Sequence, residues 1–182
     1  MSLGAHFERS IRGVFGFLVR EHSFAEPQVS RRGYQFTVLE YVKGSVAIQA
    51  NFDMEEAILV TVAIGDGQSD PANPFEARFR FAVDALAVHR DPSWVAPPQP
   101  GIGQWTDAHI DRVVNAYGRA LRTYGSDVLA GDTSGLLDFL ALHPNTRGQR
   151  TGVFVGEWQR RQPRGRAAIA GFFREWHARK EE

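Results

Sequence analysis

Residues 34–64 read YQFTVLEYVKGSVAIQANFDMEEAILVTVAI, and this stretch decides the fold. Large apolar residues recur at every second position in three runs, which is the period of a β-strand with one buried face. Lys43-Gly44 and residues 53–56 separate the runs and supply two chain reversals. We therefore predict a three-stranded antiparallel meander. Its predicted buried positions are Tyr34, Phe36, Val38, Val42, Val46, Ile48, Ala50, Phe52, Ile58, Val60, Val62 and Ile64.

The positions between these residues are mostly polar, which predicts that the other face of the sheet meets water. Leu39, Tyr41 and Leu59 weaken the alternation, and Glu40 interrupts the buried series, so we place Glu40 near the rim of the sheet. A meander of this size cannot cover its own apolar face. Helices elsewhere in the chain must therefore cover it.

Two segments have the apolar spacing of an amphipathic helix. The first is residues 5–21, and the second begins at Thr106, a good N-cap, and continues to Val128. Gly131 is predicted to end the second helix, and a further leucine-rich helix follows until Pro144. The predicted buried stripes of the two main helices are Phe7, Ile11, Val14, Phe15 and Leu18, and Ile110, Val113, Val114, Tyr117, Leu121, Tyr124 and Val128.

The middle of the chain predicts smaller elements. Alternation at 78–81 allows a fourth strand, and residues 84–89 fit a short helix. Residues 91–103 contain four prolines, so regular structure is not expected there, and Trp94 and Trp105 are expected to pin this loop to the body. We predict an α+β domain over residues 1–144: a three- or four-stranded antiparallel meander sheet, packed on one face by the N-terminal helix and the long helix.

Charge divides the chain into two parts. Residues 1–144 hold 12 basic and 17 acidic residues, a formal charge of −5, whereas residues 145–182 hold 9 and 4, a formal charge of +5. We predict that 145–182 is a basic C-terminal extension ending in a helix, with Ile169, Phe172, Phe173 and Trp176 on one stripe. Its partner-binding candidates are Arg147, Arg150, Trp158, Arg160, Arg161, Arg164 and Arg166, which combine positive charge with a stacking surface.

The composition limits the function classes. The chain has no cysteine, which excludes disulfides, thiol nucleophiles and thiolate metal sites. The most apolar N-terminal run, 11–19, is too short and too interrupted to cross a membrane, so we predict a cytoplasmic protein without a membrane partner. Only Lys43 and Lys180 among 21 basic residues are lysines, which favours a bacterium with a GC-rich genome.

The patterns that could carry chemistry have structural explanations. Asp107, His109 and Asp111 are potential metal ligands, but on a helix the two aspartates share one face and His109 points away from them. The stretch GDTSG at 131–135 is similar to a serine-protease nucleophile segment, yet between two helices it is better explained as a C-cap glycine followed by N-cap donors. His89 and His143 lie at predicted helix ends, which favours capping. We predict no catalytic residue, no metal and no cofactor.

Residues 116–132 read AYGRALRTYGSDVLAGD and follow an opening helix, a meander and a proline-rich loop. Over about residues 5–143 this arrangement resembles small uncharacterised bacterial α+β proteins, some of which are similar to the immunity proteins of polymorphic toxin systems. The resemblance implies a binding protein without catalytic residues, acting by occluding a partner surface. A protein partner is therefore the first hypothesis. The alternatives are a small hydrolase or transferase with its site in the loops at 65–73 and 91–105, and a nucleic-acid accessory protein binding through residues 145–182.

Overall fold

The alternating stretch forms the centre of a five-stranded antiparallel sheet in the order β1-β2-β3-β4-β5. The computed structural model describes residues 2–33, 35–65, 77–134 and 136. Within them, four helices accompany the sheet. The elements are α1 Leu3–His22, β1 Gln28–Arg32, β2 Phe36–Lys43, β3 Val46–Asp53, β4 Ile58–Gly65, β5 Ala77–Ala82, α2 Val83–Arg90, α3 Asp107–Tyr124 and α4 Ser126–Ala130.

The α+β class and the helical cover on one face are confirmed. The sheet has one strand more than the upper prediction, because residues 28–32 pair with β2 as an edge strand. The possible fourth strand at 78–81 is confirmed as β5. The predicted boundary at residue 144, the basic extension 145–182, the tail of the leucine-rich segment and most of the loop after Gly65 lie outside the described residues.

One face of the sheet, here called the helix face, holds the main core. The Phe7 ring of α1 packs at a tilt against the Phe52 ring of β3 with centroids 5.3 Å apart, and the Phe15 ring stacks on Tyr41 of β2 at 6.5 Å. The pairing of β2 with β3 places every second residue of both strands on this face. Its buried residues are Thr37, Leu39, Tyr41, Val46, Ile48, Ala50, Phe52, Ile58, Val60, Val62 and Phe81.

The predicted burial is correct for β3 and for Ile58, Val60 and Val62 of β4, but wrong for β2. Thr37, Leu39 and Tyr41 are the buried residues of that strand, while Phe36, Val38 and Val42 are only half-buried on the opposite face. Because β2 carries apolar residues on both faces, alternation alone cannot fix its phase. Tyr34 lies outside the described residues, and Glu40 lies in the middle of its strand rather than at the rim.

The first helix forms as its sequence pattern predicts. The Ser2 hydroxyl accepts a hydrogen bond from the Ala5 amide and caps α1, and Ser23 ends the helix in a left-handed conformation with φ of 60°. Phe7, Ile11, Phe15 and Leu18 of the predicted stripe are fully buried, whereas Val14 is half-buried. The helix thus covers β2 and β3.

The second amphipathic segment is two helices rather than one. The Thr106 hydroxyl accepts from the His109 amide and caps α3 as predicted, but the helix ends at Tyr124, and α4 begins after Gly125. Gly131 ends α4 with φ of 94°, the left-handed conformation expected of a C-cap glycine. The short predicted helix at 84–89 is confirmed as α2.

Helices α1 and α3 lie close together because Gly118 has no side chain. A Cβ atom built on Gly118 would lie 2.4 Å from Cγ1 of Val14, well inside van der Waals contact. Within the described ranges, no helix combines the length and the hydropathy that a bilayer crossing requires.

Candidate functional site

The segment between α2 and α3, residues 91–106, is an irregular loop on the surface, and we call it the recognition loop. Pro92, Pro97, Pro98 and Pro100 fix φ and remove amide donors, so this segment can extend neither the helix before it nor the sheet beside it. The prediction that Trp94 and Trp105 pin it is confirmed, and a glutamine between them adds a third anchor.

The central anchor is the side chain of Gln99. Its Oε1 accepts a hydrogen bond from the Ile58 amide at 3.2 Å, and its Nε2 donates to the Ile58 carbonyl at 3.0 Å. Strand β5 pairs with residues 61–65 of β4, and Ile58 lies outside this paired stretch. The carboxamide therefore bonds the open edge of β4 as a neighbouring strand would, and it ties the middle of the loop to the sheet.

The N-terminal anchor is Trp94. Its Nε1 donates to Asp84 Oδ1 at 3.3 Å, and its ring meets the Tyr124 ring edge-on with centroids 5.8 Å apart. The Tyr124 hydroxyl donates in turn to Asp91 at 2.8 Å, and the other carboxylate oxygen of Asp91 accepts from the Ser93 amide. These contacts fix the first turn of the loop against α2 and α3.

The C-terminal anchor is Trp105. Its indole is buried and meets the Phe52 ring edge-on with centroids 5.2 Å apart, next to the Phe7–Phe52 pair. The Nε1 atom has no hydrogen-bond partner among the described residues, so the apolar contact rather than a polar one holds this side chain. Pro97 is also buried, which adds a fourth contact between the loop and the body.

Between its anchors the recognition loop presents two aliphatic side chains to solvent. Val95 is 62% exposed and Ile102 is 77% exposed, and they are the exposed large hydrophobic residues of the described chain. Solitary exposed apolar residues are common on protein surfaces. Two of them on one pinned loop, with no other in the described part, mark this loop as the candidate site.

A buried acid lies beneath the loop. Asp84, in the first turn of α2, is 3% exposed and accepts hydrogen bonds from Trp94 and, at 2.8 Å, from the Tyr117 hydroxyl. Burial raises the pKa of Asp84 from 3.8 to about 6, although both hydrogen bonds oppose this. Burial and the facing Asp84 carboxylate raise the pKa of Tyr117, and a hydrogen bond from Gln99 partly offsets that rise.

An acid with such a pKa beside a phenol is a chemically capable pair. Both groups are closed from solvent, however, since Tyr117 is only 2% exposed. In this arrangement the Asp84 carboxyl faces protein groups only, and no dissolved substrate reaches it. Its physical effect is to hold Trp94, and through Tyr117 it is joined to Gln99. Two of the three loop anchors therefore share one buried polar network.

A second polar cluster joins the starts of α1 and α3. His6 Nδ1 lies 3.2 Å from Asp107 and Nε2 lies 3.0 Å from Asp111, and the Ser10 hydroxyl donates to Asp111 at 2.7 Å. Asp107 and Asp111 share one face as predicted. His109 points away, and its Nδ1 lies 3.0 Å from the carbonyl of Gln104. Within the described ranges no group of three or more histidines and acids is placed to hold a metal ion.

The His6 side chain is only 16% exposed between the two helices. The imidazole can contact both carboxylates because it extends across the helix interface from α1. Burial alone would raise the pKa of Asp111, but the hydrogen bonds from Ser10 and His6 lower it. This cluster clamps two helices together.

Other predicted residues have structural roles or lie outside the described part. Asp132 accepts from the amide and the hydroxyl of Ser134, as expected of a helix cap, and Gly131 is the left-handed C-cap. His89 lies in the last turn of α2. The predicted partner-binding residues lie outside the described residues: Arg147, Arg150, Trp158, Arg160, Arg161, Arg164 and Arg166.

Part of this site is predictable from the sequence. The proline-rich segment flanked by tryptophans indicated a pinned loop. Val95 and Ile102 are apolar residues within that segment, and this position could have marked them as candidates for exposure. Gln99 and Asp84 had no such signal, because their partners are distant in sequence. Comparison of the chain with protein-family models, with curated proteins and with solved structures found no match.

Proposed function

We propose that the protein is a non-catalytic protein-binding module, and that the recognition loop is its contact surface. It would act by covering part of a partner protein, as immunity proteins do. The observation that carries the proposal is the exposure of Val95 and Ile102 on a loop anchored at Trp94, Gln99 and Trp105.

The anchoring matters because ordering a loop costs conformational entropy when a partner binds. A loop already held by its own side chains and restrained by prolines avoids much of that cost. The exposed side chains of Val95 and Ile102 can then contribute their apolar area to the contact when a partner buries them. This is the physical design of a binding surface formed before the partner arrives.

The surroundings of the loop indicate the chemistry of the partner. The β3–β4 turn next to Ile58 carries the exposed acids Glu55 and Glu56, and Asp107 lies exposed just after the loop. The proposed partner is therefore a protein with an apolar pocket and basic residues around it, since complementary charge speeds and selects encounters.

The burial of Asp84 and Tyr117 supports binding over hydrolase or group-transfer chemistry at this loop, because the reactive pair lies under the loop rather than on it. The nucleic-acid alternative depends on arginines outside the described residues. It predicts affinity for nucleic acid that falls steeply with salt and is lost when 145–182 is deleted.

The test uses the full chain as bait in a lysate of its own organism, with captured proteins identified by mass spectrometry. Binding of the purified partner is then measured by calorimetry for Val95→Asp and Ile102→Asp. The matched control is Ala25→Asp, which adds the same charge at an exposed position near the β2–β3 turn, at the other end of the sheet from Ile58. We expect each loop variant to weaken binding about tenfold or more, with the control unchanged. Equal affinity of the loop variants and the control would overturn the proposal, as would binding of nucleic acid alone.

A further inference from the structure

The face of the sheet opposite the helices, here called the second face, has its own small apolar cluster. Ala47 of β3 and Ala63 of β4 are fully buried and pack with Val42 of β2. This cluster is separate from the main core, and among the described residues only strands contribute to it. The described helices contact the sheet through the helix face, so they do not account for it.

A line of polar side chains crosses the second face beside this cluster. Arg80 on β5 donates to the side-chain Oε1 of Gln49 on β3, so its side chain reaches over β4. Gln49 donates in turn to Glu40 on β2. Burial lowers the pKa of Arg80, while Glu40 opposes the change. Arg80 is half-buried on a sheet face that the described helices do not cover, which indicates that something else covers it.

Thr61, next to this line, supports the same conclusion. It is 2% exposed on the second face, and its hydroxyl has no hydrogen-bond partner among the described residues. Ala82 pairs with Thr61 and is also buried. Small side chains in the centre of a sheet face allow a covering element to approach closely. The burial of these residues is a property of a single chain, which argues against a second copy as the cover.

We propose that the second face is the docking site for residues 166–180 of the same chain. The sequence of this segment predicts a helix whose apolar stripe would lie on Val42, Ala47 and Ala63. The members of the stripe are Ile169, Phe172, Phe173 and Trp176.

Three observations favour this segment. Lys43 lies on the helix face and donates to the Leu129 carbonyl at 3.0 Å, so α4 lies beside the β2–β3 turn, at the end of the sheet where Val42 and Ala47 lie on the opposite face. The chain leaves the described part after Leu136, so about thirty residues are available to reach the second face. The extension at +5 also complements the −5 of residues 1–144. Residues 66–76 contain one large apolar residue, Phe75, and no amphipathic stripe.

The chain lacks cysteine, so single cysteines report burial directly. The test compares thiol labelling of full-length Ala63→Cys, on the second face, with Ala108→Cys, which is exposed. We expect the Ala63→Cys thiol to react at least roughly tenfold more slowly. Phe172→Glu with Phe173→Glu should then raise its rate toward that of Ala108→Cys.

Ala50→Cys is the control for folding, because Ala50 is a buried alanine on the helix face. Its labelling should stay slow in the Phe172→Glu, Phe173→Glu background, which shows that the sheet is intact. The proposal is overturned if Ala63→Cys reacts as fast as Ala108→Cys. It is also overturned if the glutamate substitutions leave its protection unchanged, or if that protection disappears on dilution, since dilution would reveal a second copy as the cover.

Discussion

Gln99 bonds Ile58 at both the amide and the carbonyl, across 41 positions of sequence. A side-chain carboxamide has the donor and the acceptor of a peptide group, so one glutamine can take the place of a strand residue at an open edge. This contact joins the recognition loop to the sheet, and it explains how a segment with four prolines keeps a fixed position without regular structure.

Replacing Gln99 with alanine should release the middle of the loop. Two part-buried hydrogen bonds are lost and the Ile58 backbone groups lose their partner, so we expect a loss of about 1–3 kcal/mol in unfolding free energy. Amide hydrogen exchange at Ile58 should accelerate. Gln99→Glu is the matched variant, because it keeps an acceptor for the Ile58 amide and should protect that amide better than alanine does. Unchanged exchange in Gln99→Ala would show that the bond does not hold the loop.

Asp84 should give the protein a pH-dependent stability of unusual sign. Since burial raises its pKa from 3.8 to about 6, the folded state binds the proton more tightly than the unfolded state does. Stability therefore falls as the pH rises from about 4 to about 6, by up to about 3 kcal/mol, and stays lower above that range. When the Asp84 carboxyl is protonated, Oδ1 must remain an acceptor, because the indole of Trp94 can only donate to it. The proton therefore lies on Oδ2, and the Tyr117 hydroxyl can rotate to accept a hydrogen bond from it.

The measurement is urea unfolding of wild type and Asp84→Asn at pH 4, 5, 6 and 7. Taking the difference between the two proteins removes the titration of all other groups. We expect the variant to gain stability relative to wild type as the pH rises. A difference that does not change with pH would mean that the carboxyl titrates at its ordinary value.

Gly118→Ala should destabilise the protein although alanine favours helix. The added Cβ would lie 2.4 Å from Cγ1 of Val14, whose branched side chain has little freedom to move away. Overpacking costs about 1–3 kcal/mol, which exceeds the helix-propensity gain of about 1 kcal/mol. Gly13→Ala, with no atom near its Cβ position, should instead stabilise. Adding Val14→Ala to Gly118→Ala should recover part of the loss, and thermal unfolding of the four proteins decides whether it does.

Arg90 and Asp127 join the end of α2 to the start of α4 by two parallel hydrogen bonds of 2.7 and 2.5 Å. Burial works against ionisation of Asp127, but the bonds from Arg90 and the Val128 amide lower its pKa. The pair therefore stabilises the fold above the ordinary pKa of an aspartate and loses its effect on acidification, opposite in sign to Asp84.

A double-mutant cycle with Arg90→Gln and Asp127→Asn measures this pair. We expect a coupling of about 1–2 kcal/mol at pH 7, because the contact is bidentate and about three-quarters buried. At pH 3 the coupling should decrease. A coupling near zero at pH 7 would place the pair among ordinary surface ion pairs.

Much of the architecture is predictable from local pattern. Strands β3 and β4, helix α1 and the caps at Thr106 and Gly131 follow from alternation, helical spacing and capping residues. Which face of β2 is buried is not predictable from local pattern, because both faces carry apolar residues. The pairing with β3 decides it by placing one of these faces beside Ile48 and Phe52. The edge strand β1 has one large apolar residue, Val29, so its sequence has no alternation to detect.

The site is less predictable than the fold. Trp94 and Trp105 indicated anchors because large aromatic residues beside a loop usually bury their rings. Trp94 bonds Asp84 and Gln99 bonds Ile58. Tertiary packing sets both pairs, so a local sequence pattern does not reveal them. Likewise, the spacing of Asp107 and Asp111 predicts that they share one helix face. The His6 imidazole that lies between their carboxylates belongs to another helix, so the spacing does not predict it.

The proposed function requires that the recognition loop is held in place before any partner binds. The most direct test is ¹⁵N relaxation of the free protein, read at the amides of Val95, Gln99 and Ile102. We predict order parameters near the value of about 0.85 typical of rigid backbone. Values below about 0.6 at these amides would contradict a preformed binding surface.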